Sequence, residues 1–216
     1  MMALMMLGLV TITLQSCLDD DDDDSGNIYA NALVTLKTDA NGAFYMQLDD
    51  STTVVPTNMK TSPVGKREAR AIANLKLDAA QPGHYARTGY VNWVDTILTK
   101  PMAPDLGAKN DSVYGKDPVE IVRDWTTVVE DGYLTLRFRT YFSGNQRHVL
   151  NLVKTGDYTV ELRHDAKGDK YGTVRDGLVA FRLSDLPDTQ GKTVDLTVKW
   201  QSFSGEKSVK FKYKSR

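Results

Sequence analysis

Residues 131–142 read Asp131-Gly132-Tyr133-Leu134-Thr135-Leu136-Arg137-Phe138-Arg139-Thr140-Tyr141-Phe142. Leu134, Leu136, Phe138 and Phe142 fall on one face with Thr140, and Tyr133, Thr135, Arg137, Arg139 and Tyr141 fall on the other. A period of two sustained over ten residues describes a strand with one buried face. The Asp-Gly pair ahead of it supplies the turn. This strand sets the reading of its neighbours. Val119–Val129, Arg147–Lys154, Tyr158–His164, Leu178–Leu183, Thr193–Trp200 and Lys207–Tyr213 are further strand candidates. Glu130-Asp131-Gly132, Ser143-Gly144-Asn145, Thr155-Gly156-Asp157, the 166–169 turn and Ser204-Gly205-Glu206 separate them. About seven short strands at this spacing predict an immunoglobulin-like β-sandwich over residues 119–216.

Upstream the pattern repeats in a smaller unit, residues 31–100. Ala32–Lys37 is a strand, Asp39-Ala40-Asn41-Gly42 a turn, and Ala43–Leu48 the return strand, followed by Thr52–Thr57. Lys66–Asp78 fits a helical stripe as well as strand alternation, and its neighbours favour strand. Tyr90–Thr99 is a strand with Val91, Trp93 and Ile97 on one side. From 101 to 118, Pro101, Pro104, Gly107, Gly115 and Pro118 interrupt a polar stretch that reads as a linker or long surface loop.

The N-terminus predicts a location. Residues 1–14 are uncharged and mostly apolar, too short for a membrane span and suited to the core of a signal peptide over 1–16. No Lys or Arg precedes that core, so either the true translation start lies upstream, which is the favoured reading, or the signal is a weak one. Leu14-Gln15-Ser16-Cys17 resembles a lipobox, with cleavage after Ser16 and a diacylglyceryl group on the thiol of Cys17. Residues 17–30 are an acidic tether. Asp19, Asp20, Asp21, Asp22, Asp23 and Asp24 repel one another and stay solvated. They read either as a flexible spacer or, beginning at the second residue after Cys17, as a run that resembles the export signal of Bacteroidota surface lipoproteins; the resemblance implies an outer-membrane, lipid-anchored protein facing the cell exterior.

Composition narrows the function. Apolar residues make up 41% and charged residues 25%, which excludes a wholly disordered or fibrous chain. The six clustered aspartates are taken from 28 acidic residues against 27 basic ones, and residues 1–18 are uncharged. Residues 25–216 thus carry 27 basic and 22 acidic groups, a net +5, too weak to indicate nucleic acid. One cysteine permits no internal disulfide, and three histidines with no ligand spacing predict no metal and no cofactor.

The end of the first unit, Asp95-Thr96-Ile97-Leu98-Thr99-Lys100, leads into two further stretches, Asp131-Gly132-Tyr133-Leu134-Thr135-Leu136 and His148-Val149-Leu150-Asn151-Leu152-Val153. Behind an acidic lipoprotein start, they resemble the NigD-like lipoprotein family over nearly the whole mature chain. The resemblance implies an OB-like barrel for roughly 31–100 and a sandwich for 119–216. The family takes its name from a bacteriocin-associated gene cluster, which implies a possible protective role and settles no chemistry.

No catalytic set is expected. Glu120, Asp124, Glu130 and Asp131 read as rim charges rather than the paired carboxylates of a glycosidase. His148 reads as a core histidine, while His84 and His164 lie at loop or turn positions. The outward residues Tyr133, Arg137, Arg139 and Tyr141 form a possible binding face, because aromatics flanking arginines can stack on sugars or hold anions. The expected partners are the membrane, through acylated Cys17, and an unknown envelope protein or glycan. A glycan-binding or glycan-processing protein is the alternative to a binding module.

Overall fold

The computed structural model describes residues 30–79, 86–144 and 146–216. The signal, Ser16, Cys17, Asp19–Asp24, nearly all of the tether, and His84 lie outside the described residues. Chain order gives β1 (Ala30–Thr38), β2 (Phe44–Gln47), β3 (Thr53–Pro56), β4 (Ala69–Leu77), β5 (Ala86–Thr96) and β6 (Leu98–Lys100). After helix α1 (Asn110–Tyr114) come β7 (Glu120–Val122), β8 (Val128–Glu130), β9 (Tyr133–Phe142), β10 (Val149–Gly156) and β11 (Thr159–Asp165). The last three strands are β12 (Thr173–Arg182), β13 (Val194–Ser202) and β14 (Gly205–Tyr213).

Strands β1 to β5 close a barrel in the order β1-β2-β3-β5-β4. Alternation buries Val34, Leu36, Phe44, Met46, Val54, Ala71, Ala73 and Leu75 inside it. Closure settles the ambiguity over 66–78: β4 pairs with β1 on one side and β5 on the other, so Ala69–Leu77 is a strand that completes the barrel. Removing a Leu or Met side chain of this kind from water contributes about 1.5–3 kcal/mol.

Two sheets form the sandwich, β10-β11-β13-β14 and β6-β12-β9-β7, with β8 also on β9. Leu134, Leu136 and Phe138 of β9 face Leu152, Leu162, Leu196 and Val198 across a shared core. Glu130 lies opposite Tyr133, and Asp131 and Gly132 between them take φ of 49° and 72°, the geometry of a type I′ turn.

The domains are joined without slack. The chain leaves β5 at Thr96, and two residues later β6 lies parallel to β12 as a sandwich strand. The stretch 101–118, expected as a linker or surface loop, is fastened to the sandwich. Met102 is in its core, Ala103 N–H donates to the Leu152 carbonyl at 2.8 Å, and Asp117 N–H donates to the His164 carbonyl at 2.9 Å. Proline and glycine deny this stretch a ladder, but side chains such as Asp105, bonded to Asn110 at 2.8 Å, order it instead. Among the described residues no helix is long and apolar enough to cross a membrane.

Candidate functional site

Two departures from regular pairing place two tryptophans on the surface where the domains meet. On β5, Val91 pairs with Leu75 but Trp93 pairs with Asn74, so Asn92 is an extra residue. Such a bulge reverses the side on which later side chains emerge. Trp93 is therefore 40% exposed, not on the buried side with Val91 and Ile97 as strict alternation predicts. The second departure breaks the strand expected over 119–129 into β7 and β8. Asp124 Oδ1 accepts from Thr126 N–H at 2.9 Å and from its hydroxyl at 2.7 Å, closing an Asx turn. Thr127 donates its hydroxyl to the Val122 carbonyl at 2.6 Å. This turn carries Trp125, 55% exposed.

The tryptophans flank one ridge. A hollow of about 240 Å³ lies among Trp93, Asp95, Ile97 and Leu98, and one of about 250 Å³ among Asp124, Trp125, Arg137 and Asp176. Ile72 of the barrel and Leu178 of the sandwich line both hollows. Beneath them Leu33, Ile97 and Ala180 form a small core to which both domains contribute.

Charges fix the sandwich side of this face. Asp176 stands opposite Arg139 and diagonal to Arg137 across β12 and β9. Arg139 Nε donates to Asp176 Oδ1 at 2.6 Å, and Arg137 Nε donates to Oδ2 at 2.8 Å. Arg137 also reaches Asp124 Oδ2 at 2.6 Å. The Arg139 bond, joined by that of Arg137, holds the Asp176 carboxyl at about 2. Burial pushes Asp124 up, but hydrogen bonds from Thr126 and Arg137 outweigh it and leave its pKa lowered. Both arginines are thus prepositioned, with part of each head in water.

Of the four residues expected to form a binding face, Arg137, Arg139 and Tyr141 share an outer surface, Tyr141 edge-on to Phe203 at 5.3 Å. Tyr133 does not belong to it. It is fully buried, its hydroxyl donating to Glu68 at 2.8 Å and its ring lying under Arg182 and Arg216. The cause is tertiary: the barrel covers the first half of β9, so only the second half meets solvent. Arg70, fully buried, donates to Thr35 at 2.9 Å, Glu130 at 3.0 Å and Thr135 at 3.3 Å. Lys37 meets Asp131 at 2.8 Å, and Arg216 binds the same carboxylate at 2.9 Å.

The carboxylates considered for catalysis are each held by a cation. Glu120 meets Lys207 at 3.0 Å, Asp124 meets Arg137, Glu130 meets Arg70, and Asp131 meets Lys37. His148 is buried and uses both ring nitrogens, Nδ1 at 2.9 Å from His164 Nε2 and Nε2 at 3.3 Å from Asp169. His164 Nδ1 donates to the Pro118 carbonyl at 3.1 Å. Burial and the neighbouring His148 push the His164 pKa down. This chain of rings ties the 117–119 segment to β11 and to the start of β10, and the His148 ring borders a cleft that it shares with Phe142, Lys100 and Arg147.

A five-stranded barrel seated on a β-sandwich, with an ordered seam between them, defines a two-domain all-β class. Residues 33–97 match the NigD-like N-terminal OB domain, and residues 101–213 match the NigD-like C-terminal beta sandwich domain. The chain belongs to the NigD-like family. It is similar to a Parabacteroides distasonis protein provisionally described as toxin-related. That match has 37% identity and a TM-score of 0.74, and covers 87% of this chain and 94% of the other. A NigD-like immunity protein from Bacteroides caccae shares the fold at 20% identity, TM-score 0.60, with 87% and 98% covered. A Bacteroides fragilis protein provisionally called a lipoprotein does so at 19% identity, TM-score 0.60, with 87% and 99% covered. No curated protein matches the chain.

Proposed function

We propose that this chain is a surface-exposed outer-membrane lipoprotein, anchored through acylated Cys17, that binds an envelope or incoming partner through the face at the domain junction. The observation that carries the binding role is the pair of exposed tryptophans, Trp93 and Trp125, set on either side of the Ile72–Leu178 ridge beside a fixed Arg137–Asp176–Arg139 cluster. Exposed large aromatics around prepositioned charges are what binding hot spots are made of. Leu14-Gln15-Ser16-Cys17 and Asp19–Asp24 support the anchor and the outward display. The relatives described as toxin-related, as an immunity protein and as a lipoprotein agree with a defensive envelope role. In such a role the junction face receives a bacteriocin or shields its target.

A second reading, glycan binding, is favoured by the same tryptophans, since indole faces stack on sugar rings and Arg and Asp reach hydroxyls. One experiment addresses both. The wild type and the Trp93→Ala/Trp125→Ala variant are applied to a glycan array and photo-cross-linked on intact cells. A discrete cross-linked protein, lost in the variant at unchanged melting temperature, supports the protein-binding role. An array signal lost in the variant, without turnover, moves the assignment to glycan. Cross-linking and array signals that survive in the variant remove the junction face from the function.

A further inference from the structure

The sandwich has an open side. Strand β6 is the edge of one sheet and β10 the edge of the other. The chain crosses between them at 101–103, where Ala103 N–H donates to the Leu152 carbonyl and closes one end. Beside that crossover lies a cleft of about 560 Å³, within the range of small-molecule sites. Leu98, Phe138, Phe142, Leu150, Leu178 and Val179 give it apolar walls. Leu98 is 56% exposed, a large apolar surface left in water at the mouth.

Two cations line the same cleft, Lys100 and Arg147. Lys100 Nζ donates to the Leu150 carbonyl and to Asn151 Oδ1 at 2.9 Å, both neutral acceptors. Among the described residues no carboxylate pairs with Lys100 or Arg147, although ion pairs hold the cations at the domain junction and on the second half of β9. Burial, and then the charge of Arg147, push the Lys100 pKa down. A partly desolvated ammonium beside a second cation, against an apolar wall, has the environment of half an ion pair. The edge carbonyls of Leu150 and Leu152 already accept from Lys100 and Ala103. An added β-strand would find those acceptors taken.

We propose that this cleft binds an amphiphilic anion, a monocarboxylate with an unbranched apolar chain. The carboxylate would sit between Lys100 and Arg147, and the chain would lie along Leu98, Phe138, Phe142 and Leu178. The site goes beyond the junction face, with which it shares only Leu98 and Leu178, and stands without the partner-binding reading.

The test uses the full chain carrying Cys17→Ser, so that no acyl group of its own competes. Octanoate, decanoate, dodecanoate, dodecan-1-ol and dodecyltrimethylammonium are titrated below their micellar concentrations by calorimetry. The carboxylates bind saturably at one per chain, tightening by up to about fourfold for each methylene buried. The alcohol and the ammonium bind at least tenfold more weakly than dodecanoate. Lys100→Gln and Arg147→Gln each weaken dodecanoate at least tenfold, with dodecan-1-ol binding unchanged. Arg147 is an exposed residue, so its variant decides the matter if Lys100→Gln fails to fold. No saturable dodecanoate binding, equal affinity for the alcohol or the ammonium, or unchanged affinity in Arg147→Gln overturns the proposal.

Discussion

Replacing Arg70 tests whether the two domains act as one unit. Its guanidinium is fully buried and joins Thr35 of β1 to Glu130 of β8 and Thr135 of β9. Arg70→Met keeps much of the volume and removes all three bonds. It leaves Glu130, whose pKa is already raised by burial against the pull of Arg70, without its cation. Breaking a buried pair from one side costs about 3–5 kcal/mol. Glu130 keeps 22% of its side chain exposed, so water reaches it and the figure belongs at the lower end, about 3 kcal/mol. At roughly 2–4 °C per kcal/mol for a chain of this size, the melting temperature falls by about 6–12 °C. The double variant Arg70→Met/Glu130→Met removes both charges and should recover at least half of the loss, because matched apolar replacement of a buried pair is close to neutral. Calorimetric melts of wild type, both single variants and the double variant complete the cycle. A loss below 1 kcal/mol in Arg70→Met, or no recovery in the double variant, refutes the clamp.

Three further outcomes follow from single positions. A Cβ added at Gly177 would stand 2.5 Å from Phe138 Cζ, inside the sandwich core, so Gly177→Ala should destabilise by about 1–3 kcal/mol, and a neutral melt would contradict that packing. The Asp176 carboxyl, held by Arg139 and Arg137, should titrate by carboxyl NMR at about 2. Because its folded pKa is lowered, its stabilisation is present above the unfolded value of about 3.9 and is lost as pH falls toward 2, so a midpoint near 4 would count against the network. His164 shows linkage of the same sign: burial lowers its pKa, the unfolded chain takes up the proton first, and stability falls as pH drops below about 6.5. Its ring resonance should titrate below that value.

Regular strands were legible and irregular ones were not, for a physical reason. Strand β9 is decided by its own alternation, and its bounds in the structure are those of the pattern, Tyr133–Phe142. The bulge at Asn92 is a property of how β5 registers against β4, so the local alternation of neither strand reveals it. Alternation alone sets Trp93 on one side with Val91 and Ile97, whereas the bulge turns it to solvent. Trp125 could have been found: Asp124-Trp125-Thr126 is an Asx-turn sequence inside an apolar run, and such a turn exposes its middle residue. Tyr133 was misplaced because alternation gives a face but says nothing of a second domain covering half of it. Lys100 and Arg147 lie 47 positions apart and meet only because β6 and β10 edge the same side of the sandwich.

The proposed display of the domain pair outside the cell on a lipid anchor is what would bring the junction face to its partner. Protease shaving of intact cells measures this directly when wild type, Cys17→Ala and a variant with Asp19–Asp24 replaced by Ser and Gly are compared. The wild type should pellet with membranes and be digested. Cys17→Ala should lose membrane association, and the neutral tract should stay membrane-bound and folded but resist the protease. Digestion of the neutral variant equal to that of wild type would reduce the aspartates to a spacer, and a wild type that resists digestion on intact cells would contradict display altogether.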